Sequence, residues 1–173
     1  DGPSRINQER IIAIVTGFKG TANGKTGQLL QSWILPADVP PLEAINSGAD
    51  RAACGNCPLR GKIVDGRNRN RGCYVSVRNA PRAVYDAWKR GRYESFDTER
   101  HLGLFEDRLL RLGSYGEAAA VPVRYWKPIL RVVKANTGYS HLWNQRRFQP
   151  MRRYLMASVH SENEAVQAKQ RGW

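Results

Sequence analysis

The chain has 173 residues, 41% of them hydrophobic and 25% charged. That size suits one domain, and the proportions exclude a disordered or collagen-like chain. No stretch approaches the roughly 18 apolar residues that cross a bilayer, and the start, DGPSRINQER, has no apolar core behind a basic flank, so the expectation is a soluble, cytoplasmic protein with no membrane partner. Lys plus Arg number 28 against 15 Asp plus Glu, a net charge of +13, and a field of that sign attracts polyanions, chiefly nucleic acid.

In chain order, Ile11 to Val15 (IIAIV) is a β-branched run that reads as a buried strand. The glycine-rich stretch GFKGTANGKTG follows, then QLLQSWIL, whose Trp33 and Ile34 favour a strand over a helix. After Pro36 and Pro40, PLEAINS reads as a short helix with Pro41 in its first turn and Gly48 as its stop. Residues 50–73 are too polar and too rich in glycine to be core. CYVSV, 73–77, alternates like a strand, and Pro81 opens a helix through Arg90 with Gly91 beyond it. Helix is expected around His101 to Asp107.

The back half is more regular. Residues 109–116 (LLRLGSYG) read as a strand, Pro122 to Ala135 as a helix that Pro128 should kink or delay, 137–143 (TGYSHLW) and 154–159 (YLMASV) as further strands, and SENE, Ser161 to Glu164, as a capping box opening a last helix. Strands alternating with helices predict parallel pairing, hence an α/β fold: a partial barrel or an open parallel sheet, carrying a Cys/Arg-rich loop insertion ordered by a metal. The whole of 1–173 is expected to be one domain, with an N-terminal strand and loop region over 1–49, a metal loop, strand and helix over 50–93, and a βαβαβ half over 94–173.

The bases are unevenly spread. Residues 1–59 hold five bases and five acids, whereas residues 60–92 hold ten bases against Asp65 and Asp86 alone. Arg60, Lys62, Arg67, Arg69, Arg71 and Arg78 belong to this stretch, and Arg146 and Arg147 begin a second cluster near Arg152 and Arg153. Aromatic residues lie among the bases, Trp143 beside Arg146 being the best placed to stack on a nucleobase. These residues form the expected DNA- or RNA-binding set. The bland alternative is a solvated basic face.

Cys54-Gly-Asn-Cys57-Pro, followed fifteen residues later by Cys73, is an odd count with a close pair, unlike a secreted disulfide framework. Three thiolates suit zinc, with His101, His141, His160, a carboxylate, water or a group from elsewhere as fourth ligand, or else an iron–sulfur cluster with one open iron. Three inert thiols, or a redox-active CxxC pair with an unrelated third cysteine, is the other reading. A metal anchored by Cys54, Cys57 and Cys73 would order the polar 50–73 stretch and present its arginines. Gly24-Lys25-Thr26 after a strand is reminiscent of a phosphate-binding loop, but position 19 is Lys19 where that motif needs glycine, so a turn or substrate loop is expected there. In parallel α/β folds the chemistry gathers at the carboxyl ends of strands, which singles out Glu117, His141 and His160 as candidate catalytic residues.

CGNCPLRG, RGCYVSV with the following AP and RGRY, RLGSYGEAAAVP, TGYSHLW and MASVHSENEAVQAKQRGW resemble a family of phage and prophage proteins of unknown function, over most of the chain. The resemblance implies that the CxxCP and CYV elements precede a half-barrel-like βαβαβ region, and members often continue into a cysteine-rich tail that this chain lacks. The back half also resembles the latter part of radical S-adenosylmethionine barrels, without their CxxxCxxC triplet. The resemblance implies a fold and a mobile-element setting, with the host cytoplasm as location, and no activity. Three functions stand open: a metal-ordered nucleic-acid-binding protein, a zinc or iron–sulfur enzyme acting at the strand ends, and an interaction module for an acidic protein partner.

Overall fold

The computed structural model describes residues 1–20 and 27–173. Gly24, Lys25 and Thr26, the core of the phosphate-loop comparison, lie outside the described residues. Six strands form one open sheet: β1 (Gly2–Pro3), β2 (Arg10–Thr16), β3 (Leu30–Pro36), then β6 (Leu109–Tyr115), β7 (Ala135–Ser140) and β8 (Met156–Ala157), in that spatial order. β3, β6, β7 and β8 are parallel neighbours, as the alternating pattern predicts. The front of the sheet departs from it, because β1, β2 and β3 pair antiparallel. Residues 17–29 alone join β2 to β3, a short connection that suits an antiparallel neighbour, whereas parallel neighbours need a longer crossover. Strands from both ends of the chain thus share one sheet, which is open and not a closed barrel.

Alternation along the strands divides the core into two faces. Leu30 and Ile34 of β3, with Ile11 of β2, belong to one cluster, whereas Trp33 and Leu35, with Ile12 and Ile14, belong to the other. The first face is covered by α2 (Arg51–Cys54) and α5 (Val123–Val132), whose Trp126 and Ile129 are buried. The second is covered by α1 (Pro41–Ser47) and α3 (Ala80–Lys89), with Val84 and Tyr85 inward. Full burial of each large aliphatic side chain contributes about 1.5–3 kcal/mol. Polar tips find partners within the core: Trp126 Nε1 donates to the Ala118 carbonyl and the Tyr85 hydroxyl to the Ala37 carbonyl.

Several local expectations change. α5 runs through Pro128 without interruption and ends three residues before Ala135, which opens β7 instead. Helix near His101 is shorter and earlier, α4 (Thr98–His101), followed by a 3-10 turn over Leu102–Phe105. CYVSV is not a strand. Its burial alternates, but the Arg71 guanidinium donates to the carbonyls of Cys73 and Val75 at 2.9 and 3.1 Å, taking the place of a neighbouring strand. The last helix, α6 (Glu162–Gln170), starts as the capping box predicts: Ser161 accepts from the Glu164 N–H. Glu164 reaches back one residue further than expected, accepting from the His160 N–H at 2.6 Å. No helix among the described residues is long and apolar enough to cross a membrane.

Candidate functional site

The parallel register of β6, β7 and β8 brings their carboxyl ends side by side, and the three residues singled out at those ends meet. Glu117 follows β6 by two residues, His141 directly follows β7, and His160 lies three residues past β8. Gly116 makes the turn after β6 possible. Its φ is +79°, and a Cβ there would lie 2.4 Å from the Ile34 carbonyl oxygen, a place only glycine fills without strain. The chain then turns so that the Glu117 N–H donates to the Ala53 carbonyl at 2.7 Å, and Glu117 is 4% exposed.

Glu117 Oε1 accepts the backbone N–H of His141 at 2.8 Å and lies 3.5 Å from the same residue's Nδ1. The other ring nitrogen, Nε2, is 3.9 Å from the sulfur of Cys57. His160 stacks on one face of the imidazole. Thiol, imidazole and carboxylate therefore form a chain, Cys57–His141–Glu117, in which the carboxylate sets the ring and the ring addresses the sulfur. Glu117 Oε2 has no hydrogen-bond partner among the described residues. Burial by itself would lower the His141 imidazole, but the Cys57 sulfur and Glu117 outweigh it and push it up to about 10. Cys54, on the same turn, moves the other way for a nucleophile: burial first, then Asp50, Cys57 and Glu117, raise its thiol, so its proton is held.

The CxxC turn is braced by an arginine that the sequence assigned to nucleic acid. Arg60 Nε donates to Asp50 Oδ2 at 3.1 Å, its Nη2 pairs with Asp50 Oδ1, and it also donates to the carbonyls of Gly55 and Gly48. Asp50 is 1% exposed. Arg60 is consequently engaged within the fold, and Arg71 is likewise occupied with Cys73 and Val75. These two guanidinium groups supply protein contacts that order the 50–73 stretch. Cys73 begins the CYVSV segment, its N–H donating to the Leu59 carbonyl. Among the described residues no three His, Cys, Asp or Glu side chains form a group that could hold a metal ion; a zinc or iron–sulfur centre at Cys54, Cys57 and Cys73 stays an expectation of the spacing.

The remaining bases fall into separate groups. Residues 62–69 form a hairpin, β4 (Lys62–Val64) with β5 (Arg67–Arg69), around Asp65 and Gly66, both at positive φ. Asp-Gly is the turn pair that such a two-residue hairpin demands, a signal present in the sequence that its flanking polarity obscured. Asn68 faces inward, its Nδ2 donating to the Ile45 and Arg60 carbonyls, so its neighbours Arg67 and Arg69 face outward and are exposed. Lys62 sits directly across from Arg69, and Val64 across from Arg67. Arg146 and Arg147 lie outside the hairpin, in the 3-10 turn over Arg146–Met151, with Arg147 over the Phe148 ring. Trp143 is not a stacking platform: it is 4% exposed, donates to the Ser158 carbonyl, and is covered by Arg171. A cleft of about 310 Å³ opens at the foot of the hairpin, lined by Asn46, Asn68, Arg71 and Arg78 among others. Comparisons of the chain with protein families, with curated proteins and with solved structures found no match.

Proposed function

We propose that the protein binds nucleic acid, with the outer face of the β4–β5 hairpin as its contact surface and Arg78 at the adjoining cleft. The observation that carries this reading is the pairing of Lys62 with Arg69. Like charges directly across a strand pair destabilise it, and here a third cation, Arg67, shares the face. None of the ion pairs among the described residues includes Lys62, Arg67, Arg69 or Arg78. A phosphate backbone would relieve the repulsion and release its own counterions in doing so. The exposed Val64, across from Arg67, adds an apolar contact on the same face, and a major groove admits a two-stranded ribbon.

Fluorescence anisotropy with labelled oligonucleotides of duplex DNA, single-stranded DNA and RNA tests the proposal across a salt series. At least one should bind, with affinity falling steeply as salt rises. The triple substitution Lys62→Ala, Arg67→Ala, Arg69→Ala should reduce the salt slope by about 2 to 3, the loss of three phosphate contacts, while leaving the thermal midpoint unchanged or raised. An unchanged slope in that variant, or no binding to any of the three, sinks the assignment, and preferential binding to an acidic protein would replace it.

A further inference from the structure

We propose that Cys57 is a catalytic nucleophile with His141 as its acid–base partner and Glu117 as the positioning carboxylate, and that the site takes an acyl group carried as an ester or thioester. This goes beyond nucleic-acid binding and does not depend on it. Four features point the same way. The sulfur lies 3.9 Å from Nε2, within the looser reach that such pairs show without substrate. The opposite nitrogen is aimed at a carboxylate that is almost wholly buried, the third member that orients the base in thiol and hydroxyl nucleophile sites on unrelated folds. All three groups gather where parallel strands end, the usual place for chemistry in such sheets. Cys57 and Cys54 are both half-buried, but burial, then Asp50, Cys57 and Glu117, push the Cys54 thiol up, and it is the Cys57 sulfur that meets the imidazole.

The reaction balances with water alone. His141 Nε2 carries the proton of the pair, so the Cys57 sulfur reacts as the thiolate beside the protonated ring and uses an electron pair to bond the acyl carbon. That proton then goes to the departing alcohol or thiol as its bond to the acyl carbon breaks, leaving a thioester on Cys57. Water adds to the thioester and gives a proton to His141, and the sulfur leaves as the thiolate beside the protonated ring, releasing the carboxylic acid and restoring the starting pair. Glu117 keeps the Nδ1–H side of the ring fixed throughout and exchanges no proton. A carboxylate in that position also opposes the loss of positive charge from the ring, so the imidazole is ready to act as an acid for the leaving group.

The test uses p-nitrophenyl acetate with the full chain, following the p-nitrophenolate burst and the intact mass, with peptide mapping to locate the acetyl group. The expected result is one acetyl group per chain on Cys57, ahead of Cys54 and Cys73. Cys57→Ser should abolish the burst, and His141→Gln should slow acetylation by about 100-fold or more. Glu117→Gln should preserve the fold yet move the pH profile of acetylation downward, a change that a purely structural role would not produce. Circular dichroism of each variant separates lost chemistry from lost folding, and iodoacetamide labelling of the native chain gives a second measure that needs no variant. Equal labelling of all three cysteines overturns the proposal. So does elemental analysis finding one zinc per chain whose removal alone exposes Cys57 to iodoacetamide, since Cys57 and His141 would then be ligands.

Discussion

The imidazole of His160 lies on that of His141 with ring centroids 5.3 Å apart and planes 13° from parallel. The two residues come from the ends of adjacent parallel strands, and only the strand register brings them together. His160 is held at its backbone by Glu164, so the first turn of α6 fixes one wall of the Cys57 site. The stack covers one face of His141 while Glu117 takes Nδ1, which leaves Nε2 directed at Cys57 and little freedom for the ring to turn.

The first prediction concerns pH. Three groups face the His141 ring: Cys57, Glu117 and His160. The folded imidazole holds its proton up to about 10, against about 6.5 in an unfolded chain. A group with a raised folded value stabilises the fold fully below its unfolded value, and this contribution is lost as pH climbs from about 6.5 to 10. Urea midpoints should therefore fall over that interval, and fall less in Cys57→Ala. NMR titration of the His141 ring should find its midpoint well above the ordinary histidine range and moved down in that variant.

The second concerns the brace beneath the cysteine turn. Removing one partner of a buried ion pair leaves the other charge unpaired at a cost of about 3–5 kcal/mol. Arg60→Ala and Asp50→Ala should each cause a loss of that order in urea unfolding. The double variant should lose less than the sum of the two. Strict additivity would mean that Arg60 acts through its bonds to the Gly48 and Gly55 carbonyls rather than through Asp50.

Gly116→Ala supplies the third. The added methyl meets the Ile34 carbonyl and Ile34 Cβ at 2.4 and 2.9 Å with φ at +79°, so a loss of about 2 kcal/mol or more is expected. Because Glu117 follows directly, Cys57 acetylation should fall in the fraction that still folds. Wild-type stability would show that the turn has room to relax.

A fourth separates the cap from the site. Ser161→Ala removes the N-cap acceptor of α6 and should cost about 1 kcal/mol. Glu164→Ala keeps that cap, whose donor is a backbone N–H, but frees the His160 N–H, and should broaden the His160 ring resonances in NMR spectra where Ser161→Ala leaves them sharp.

Most of the local elements can be read directly from short stretches of sequence. The β-branched run at Ile11 to Val15, Pro41 and Gly48 around α1, Pro81 and Gly91 around α3, and the Ser161 box of α6 all express energies contained within a few neighbouring residues: rotamer restriction, left-handed glycine and capping. The same local reading misleads at CYVSV, where a side chain, Arg71, occupies the carbonyls that alternation alone assigns to another strand. It also places Trp143 at the surface, since nothing near it in sequence announces the core into which β7 delivers it.

By itself the sequence determined the α/β class, the parallel back half and the gathering of Glu117, His141 and His160 at strand ends. Tertiary structure alone decided that Arg60 and Arg71 are structural while Lys62, Arg67 and Arg69 face outward on a hairpin, and that Cys57 meets His141 across 84 positions of chain. The physical reason is range. Periodicity and caps are settled by neighbours, but a contact at that separation is set by which strands pair and in what register, and that choice belongs to the burial of the whole sheet.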